Sequence, residues 1–231
     1  MTPYSLADSV PTPPLSRTSA LYLLWAKSWQ QLYVPTEPQY DHALDRHPPY
    51  PYDPQKARAL VKASGYHGQP ITVLYASGSP HNTGEAPGIQ QDLSQIGLNV
   101  TLRSATNTSM TSIGSSLSGH QISIGSWAAD FLDGYDIYSG VFSCAANAAG
   151  AVGAAHYCDP AADALAARAE GVPLGAERNA LLRQAQLREL RSASRIPLVF
   201  LKSTEMVSPK VGGFYYQPIF GWQFENYWLM R

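Results

Sequence analysis

Trp127, Asp130 and Asp133 are spaced at intervals of three residues within Gly125-Ser126-Trp127-Ala128-Ala129-Asp130-Phe131-Leu132-Asp133-Gly134-Tyr135. The segment follows an apolar, strand-like run, Gln121-Ile122-Ser123-Ile124. A carboxylate at the end of a buried strand, with an aromatic wall beside it, suits the capture of a cationic group such as an amine. The competing reading is a surface turn closed by Asp and Gly, with Trp127 in the core. Asp133 and Asp136 read as solvated turn residues, and Tyr135 and Tyr138 as cleft-lining or buried tyrosines.

The two cysteines, Cys144 and Cys158, flank a run of small residues that ends in His156-Tyr157. A disulfide across it would remove about 3 kcal/mol of loop entropy from the unfolded chain and would imply an oxidising compartment. A metal site built from Cys144, Cys158 and His156 is the rival; it lacks a fourth ligand and close paired spacing. Two unrelated thiols are the third reading.

Composition narrows the class. The 231 residues are 45% hydrophobic and 14% charged, with a formal net charge of −1, so no electrostatic footprint for nucleic acid or anionic membrane is present. No apolar run reaches the roughly 20 residues that span a bilayer; Leu21 to Ala26 is short and broken by Lys27. The N-terminus lacks the pattern of a signal peptide, which predicts either a cytosolic protein or a mature or truncated piece.

The elements that must position these residues are read from period and punctuation. Residues 1–50 are irregular and Pro-rich, with only Ser19 to Tyr33 open to a helix and the rest expected to cross a surface as extended chain. Asp53-Pro54 is an N-cap followed by proline at the first helical position, and Gly65 is a natural end, which predicts a helix over 54–64. Ile71 to Tyr75 alternates as a strand, Ile89, Leu93 and Ile96 mark a helix, and Leu98 to Leu102 alternates again: a βαβ unit with parallel strands. Residues 104–119 are rich in Ser, Thr and Gly and give no clear element, and Ile122 to Trp127 reads as a strand. Asp159-Pro160 repeats the helix start signal. A longer helix follows from 176 to 193; its region holds Arg178, Arg183, Arg188, Arg191 and Arg195, read as a solvated face because Glu177 and Glu189 interrupt the run. Ile196 to Leu201 is an apolar strand, and residues 211–228 are rich in Gly and aromatics.

In this order the signals resemble the C-terminal part of the bacterial extracellular solute-binding proteins of family 5, the peptide-binding receptors of ABC importers. The matching residues are Pro49-Tyr50-Pro51-Tyr52-Asp53-Pro54-Gln55-Lys56-Ala57 with Gly65-Tyr66, Ile89 to Val100, Trp127 with Asp130, Tyr157-Cys158-Asp159-Pro160, and Ile196-Pro197-Leu198. They span roughly residues 48–215, and residues 1–45 match nothing in the family. Asp133-Gly134 stands where the family often has Asp-Pro, and glycine would relax that turn. Family members are longer, with two lobes clamping the ligand.

The resemblance implies an α/β, periplasmic-binding-protein-like lobe of the type II, peptide-binding class, a mixed sheet flanked by helices. Residues 51–202 would form the ligand-binding lobe and residues 203–231 would return toward the other lobe. It implies a peptide or small-molecule ligand, a membrane permease as partner, a periplasmic or extracellular location, and no cofactor or metal. Asp130 would pair with the ligand's α-ammonium, with Trp127, Ala128, Ala129, Phe131, Asp133 and Tyr135 around it. Two other classes compete. A Ser/His hydrolase would need a nucleophile elbow or an equivalent, and none is present; the six histidines lie mostly in Gly- or Pro-flanked loops. An interaction module without solute binding would use the tail aromatics Phe214, Tyr215, Tyr216, Phe220, Trp222, Phe224, Tyr227 and Trp228 as an exposed patch.

Overall fold

The computed structural model describes residues 26–28, 30–114, 116, 119–148, 155–201, 205–217 and 219–230. Three helices open on the same device, a side-chain cap followed by proline. Asp53 caps α2 (Pro54–Ala63) by accepting from the Lys56 N–H, Ser79 caps α3 (Pro80–Gln95) by accepting from Asn82, and Asp159 caps α6 (Pro160–Glu170) by accepting from Ala161 and Ala162. Each cap satisfies a backbone donor that the helix cannot, while proline fills a position where its missing N–H costs nothing. A short helix, α1 (His42–Arg46), precedes α2, and its cap is Asp41.

Strand β2 (Ile71–Ala76) pairs in parallel with β3 (Val100–Ala105), from Ile71↔Val100 to Ala76↔Ala105. On its other side β2 pairs in parallel with the two-residue β4 (Ile122–Ser123). The order β3-β2-β4, with α3 as the crossover, is the expected βαβ unit. Helix α3 starts nine residues before Ile89, because Ser79-Pro80 repeats the capping signal and Gly84 and Pro87 do not stop the helix. Its buried Ala86 packs with Val73, Val100 and Ile124. The Asn82 side-chain amide donates to the Ile124 carbonyl at 3.4 Å, so α3 also holds the chain that leaves β4. The strand expected over 122–127 stops at Ser123; Ile124 still donates to the Leu74 carbonyl, and the chain beyond it is irregular. Residues 107–114, where the sequence gives no clear element, form α4 (Asn107–Gly114).

A second core is helical. Helix α6 and α7 (Ala176–Ser192) pack with α5 (Gly134–Ile137), which runs on into a π-helical turn over Tyr138–Phe142. Leu32, Tyr33 and Leu44 belong to the same core. This corrects two expectations for the N-terminal segment. The described part of the span 19–33 is not helical, with β1 (Ala26–Ser28) pairing antiparallel to β5 (Val199–Leu201); residues 19–25 and 29 lie outside the described residues. Nor do residues 31–40 simply cross a surface. They are irregular chain whose Gln31, Leu32, Tyr33, Gln39 and Tyr40 are buried, which requires partners for backbone polar groups, and α7 supplies several. Gln186 Oε1 accepts from the Leu32 and Tyr33 N–H groups. The Arg183 guanidinium donates to the carbonyls of Pro38, Gln39 and Tyr40, and the Tyr33 hydroxyl donates to the Leu182 carbonyl.

The arginines of α7 are therefore only in part a solvated face: Arg188 and Arg191 are exposed, and Arg178 and Arg183 are turned to the fold. Arg178 is buried, Arg183 grips the N-terminal segment, and Arg188 donates to both oxygens of Asp159, holding that carboxyl below its usual range. Cys144 and Cys158 form a disulfide, and Asp163 accepts from the Cys144 N–H and the Tyr138 hydroxyl. The tail pairs β6 (Val211–Gly212) with β9 (Trp228–Leu229) and β7 (Tyr216–Gln217) with β8 (Gly221–Trp222), both antiparallel. The parallel and antiparallel pairings thus fall in separate small sheets. Among the described residues, no helix is long and apolar enough to cross a membrane.

Glu189 is 2% exposed on α7, and among the described residues nothing donates to either of its oxygens. Burial first, then the charges of Asp159 and Asp163, pushes its carboxyl up to about 7, with Arg195 and Arg188 pulling the other way. The folded chain therefore holds a proton there that the unfolded chain releases near 4.5. This contribution to stability is full below pH 4.5 and is lost as pH rises to about 7. Glu189→Gln is expected to raise the melting temperature at pH 8 and to flatten the fall in stability between pH 5 and 7. Thermal denaturation across that range checks it; parallel pH profiles for parent and variant would count against it.

Candidate functional site

The chain leaves β4 on the edge of the parallel sheet and reaches α5 at Gly134, so the intervening residues 124–133 bridge the two cores. Asp133 is the N-cap of α5, accepting from the Tyr135 N–H at 2.9 Å. Its carboxylate also takes two parallel bonds from Arg178, Nη2 to Oδ1 at 2.9 Å and Nε to Oδ2 at 3.1 Å. The guanidinium's third nitrogen donates to the Ala169 carbonyl at the end of α6. One arginine thus ties α7, α6 and the start of α5 together. Gln39 completes the cluster, accepting from the Gly134 N–H and donating to Asn179.

Gly134 does not relax this turn. It is buried, and a Cβ there would lie 2.6 Å from the ring of fully buried Tyr33. Glycine allows the ring to approach, and its N–H makes a bond to Gln39 that proline could not.

Asp136, one turn into α5, turns the other way. Its Oδ2 accepts from the Trp127 indole Nε1–H at 2.7 Å, and its Oδ1 accepts from the Asp130 backbone N–H at 3.2 Å. The indole lies against Gly140, where a Cβ would come within 2.5 Å of the ring. Asp133 N–H donates to the Phe131 carbonyl and closes the turn between them.

The outward face of the loop carries what these anchors leave free. Trp127 is 39% exposed and Phe131 45%. Asp130 and Ala128 are exposed and Ala129 half-buried. Among the described residues, no group donates to the Asp130 carboxylate. Trp127 is therefore not a core residue, and Asp133 and Asp136, at 8% and 3% exposure, are not solvated. Asp133 uses its carboxylate inside the fold. Tyr135 is half-buried and turned inward, its hydroxyl donating to Glu170 at 2.9 Å and its ring under the Arg178 guanidinium at 5.9 Å. Burial and the Glu170 carboxylate raise that hydroxyl's pKa. Glu37 adds a further carboxyl beneath the loop, pushed up to about 6 by burial and then by the charges of Asp133 and Asp136, against the Val34 N–H bond that lowers it.

Trp127, Asp130 and Phe131 are each exposed, Trp127 and Asp130 are joined through Asp136, and Asp133 and Tyr135 lie in the supporting network. The sequence reading did not single out Gln39 or Arg178, and it set Asp136 aside. Asp136 carried a signal, since it continues the three-residue spacing of Trp127, Asp130 and Asp133. Arg178 is 45 residues from its partner, and nothing local marks it. Chemically, an exposed carboxylate that accepts from none of the described residues, with two exposed aromatics no more than three positions away in the sequence, suits a cationic group on a partly apolar ligand.

Comparison with known proteins bears on the family and the fold. The family of bacterial extracellular solute-binding proteins, family 5 Middle, matches residues 18–149. That match takes in residues 18–45, which by sequence reading alone match nothing in the family. Di/tripeptide-binding protein 4 of Pseudomonas aeruginosa is 32% identical over 191 residues, 81% of this chain and 35% of its own length. The glutathione-binding protein GsiB of Pectobacterium atrosepticum is 30% identical over 197 residues, 80% of this chain and 37% of its own. The chain thus spans little more than a third of these relatives. Among solved structures, the periplasmic binding protein DppA of Helicobacter pylori with peptide STSA superposes with a TM-score of 0.76 at 24% identity, over 92% of this chain and 41% of that one. The dipeptide binding protein of Pseudoalteromonas sp. SM9913 with Met-Leu gives 0.77 at 21% identity, over 92% and 43%. Both show the fold: a periplasmic-binding-protein-like α/β arrangement.

The pair that supports the loop makes its own prediction. Asp133 and Arg178 side chains are each 10% exposed, so removing one partner strands a buried charge at a cost of about 3–5 kcal/mol. Asp133→Ala and Arg178→Met should each lower the urea midpoint strongly, and the double variant should lose less than the two single losses combined. Strict additivity in the double-mutant cycle would contradict a direct pair.

Proposed function

The chain belongs to the bacterial extracellular solute-binding proteins of family 5, and from that membership we propose that it forms part of the peptide receptor of an ABC importer, with Asp130 taking the ligand's α-ammonium. One observation carries the reading. The Asp130 carboxylate is exposed and accepts no bond from the described residues, while its backbone is held by Asp136. A free carboxylate fixed at its root and flanked by exposed Trp127 and Phe131 is arranged for a cation that comes from outside. Once a ligand covers it, the ammonium–carboxylate bond is charge-assisted and desolvated, which makes it strong and directional.

The other residues divide by role. Trp127 and Phe131 wall the ligand. The backbone at Ala128 and Ala129 meets the peptide main chain, an arrangement tolerant of varied side chains. Asp133 and Tyr135 act from behind by fixing the turn. The names of the relatives support a ligand of this kind, since di/tripeptides and glutathione both carry a free amino group. In a whole receptor a second lobe would close over this face by a hinge motion and deliver the ligand to a membrane permease. The Cys144–Cys158 disulfide fits a periplasmic or extracellular location. No residue in the site is placed as a nucleophile beside a base, so binding rather than turnover is the reading.

A second reading keeps one observation of its own. Phe220, Phe224, Trp228 and Leu229 in the tail are 60% exposed or more, an apolar surface that would promote association. Light scattering of the chain over a range of concentrations tests it: a rising apparent mass favours an interaction module, and a constant monomer mass removes it.

For the peptide reading, Asp130→Ala is expected to weaken binding of tri-alanine by about a hundredfold or more, because an ammonium would be buried without its partner. Isothermal titration of parent and variant checks it, and equal affinity for tri-alanine would sink the assignment.

A further inference from the structure

Two of the outward-facing residues, Trp127 and Asp130, reach the same buried group. We propose that Asp136 is the positioning residue of the amine site, setting the aromatic wall and the Asp130 charge together through its two carboxylate oxygens. The inference rests on the reading of Asp130 given above and adds how the site gains its preference for an amine.

Asp136 is almost fully buried, and burying a carboxylate is unfavourable unless its lone pairs are used. The arginine nearby is bound to Asp133. The Asp136 carboxylate instead accepts from two neutral N–H groups, one of the Trp127 side chain and one of the Asp130 backbone. Neither Trp127 nor Asp130 is buried, so the bonds fix residues that the core does not otherwise hold. The indole gains a second fixed point on Gly140. Asp130 is followed by the turn closed by the Asp133 N–H on the Phe131 carbonyl, so its backbone is restrained on both sides. A binding group is effective when its neighbours restrict it to within about half an ångström of the productive position, and Asp136 supplies that restriction to both residues at once.

An asparagine at 136 would have one acceptor oxygen for two donors. Its amide nitrogen would point a hydrogen at whichever N–H it failed to satisfy. Asp136→Asn must therefore release either the indole or Asp130. Removing the indole donor as well, in the double variant Trp127→Phe/Asp136→Asn, leaves one donor for one acceptor, and the aim of Asp130 is restored.

The experiment measures the affinities of tri-alanine and N-acetyl-tri-alanine for the 231-residue chain and its variants, with the ratio as the amine preference. The Trp127 indole N–H resonance, identified by its loss in Trp127→Phe, is followed without ligand. The parent is expected to prefer the free amine. Asp136→Asn should cut the ratio by about tenfold and shift the indole resonance. The double variant should recover most of the ratio although its overall affinity is lower. Trp127→Phe alone should keep the ratio, and this arm stands even if Asp136→Asn does not fold. Three results overturn the inference: an unchanged ratio in Asp136→Asn, no recovery in the double variant, or loss of the ratio in Trp127→Phe. A parent without amine preference overturns the Asp130 reading itself and the specificity role of Asp136 with it; the indole resonance then still decides whether Asp136 holds Trp127.

Discussion

The buried pair between Asp133 and Arg178 is the constraint on which the rest of the site depends. The Asp133 carboxylate caps α5 and takes a two-point bond from α7, and the same guanidinium reaches the end of α6. Three segments distant in sequence are brought to one point in the interior, where geometry must be good because desolvating both charges is unfavourable. With the start of α5 fixed, the direction of its next turn follows. Asp136 then faces the loop, and the loop's outer residues are left to solvent. The site is thus built from inside outward: an ion pair, a cap, a second carboxylate, and only then the exposed Asp130.

The same logic explains why a Pro-rich segment without regular structure belongs to the core. Residues 31–40 leave part of their backbone unpaired among themselves, and α7 meets those groups with Gln186 and Arg183. Tyr33 in turn fills the space above Gly134. Helix α7 therefore acts as a common strut. One part holds the binding loop through Arg178, another holds the N-terminal segment, and Arg188 braces the cap of α6 through Asp159. Among the described residues, buried Glu189 on the same helix has no such partner.

Local signals were legible and non-local ones were not. Asp53-Pro54 and Asp159-Pro160 mark helix starts because capping and the proline preference act within four residues. Alternation at 71–75 and 98–102 marks parallel strands because pleat direction is local. The disulfide was one of three readings of Cys144 and Cys158. Within the arginine run Arg178 misled, because charge on a helix usually faces water and only a partner 45 residues away, Asp133, turns it inward. Residues 31–40 misled for the same reason, since their irregularity is compensated by side chains about 150 positions later. In the site, Trp127 and Asp130 stand out by type and spacing, whereas the burial that separates Asp133 and Asp136 from Asp130 comes only from packing.

The central claim is that Asp130 receives the ammonium of a peptide. It is tested most directly by carboxyl carbon resonances of the aspartate-labelled chain, with Asp130 identified by its loss in Asp130→Asn, as tri-alanine and N-acetyl-tri-alanine are added in turn. The account predicts that the Asp130 resonance moves with the free-amine peptide and stays in place with the acetylated one. A resonance that stays still while tri-alanine binds, or that moves equally with both, would contradict it.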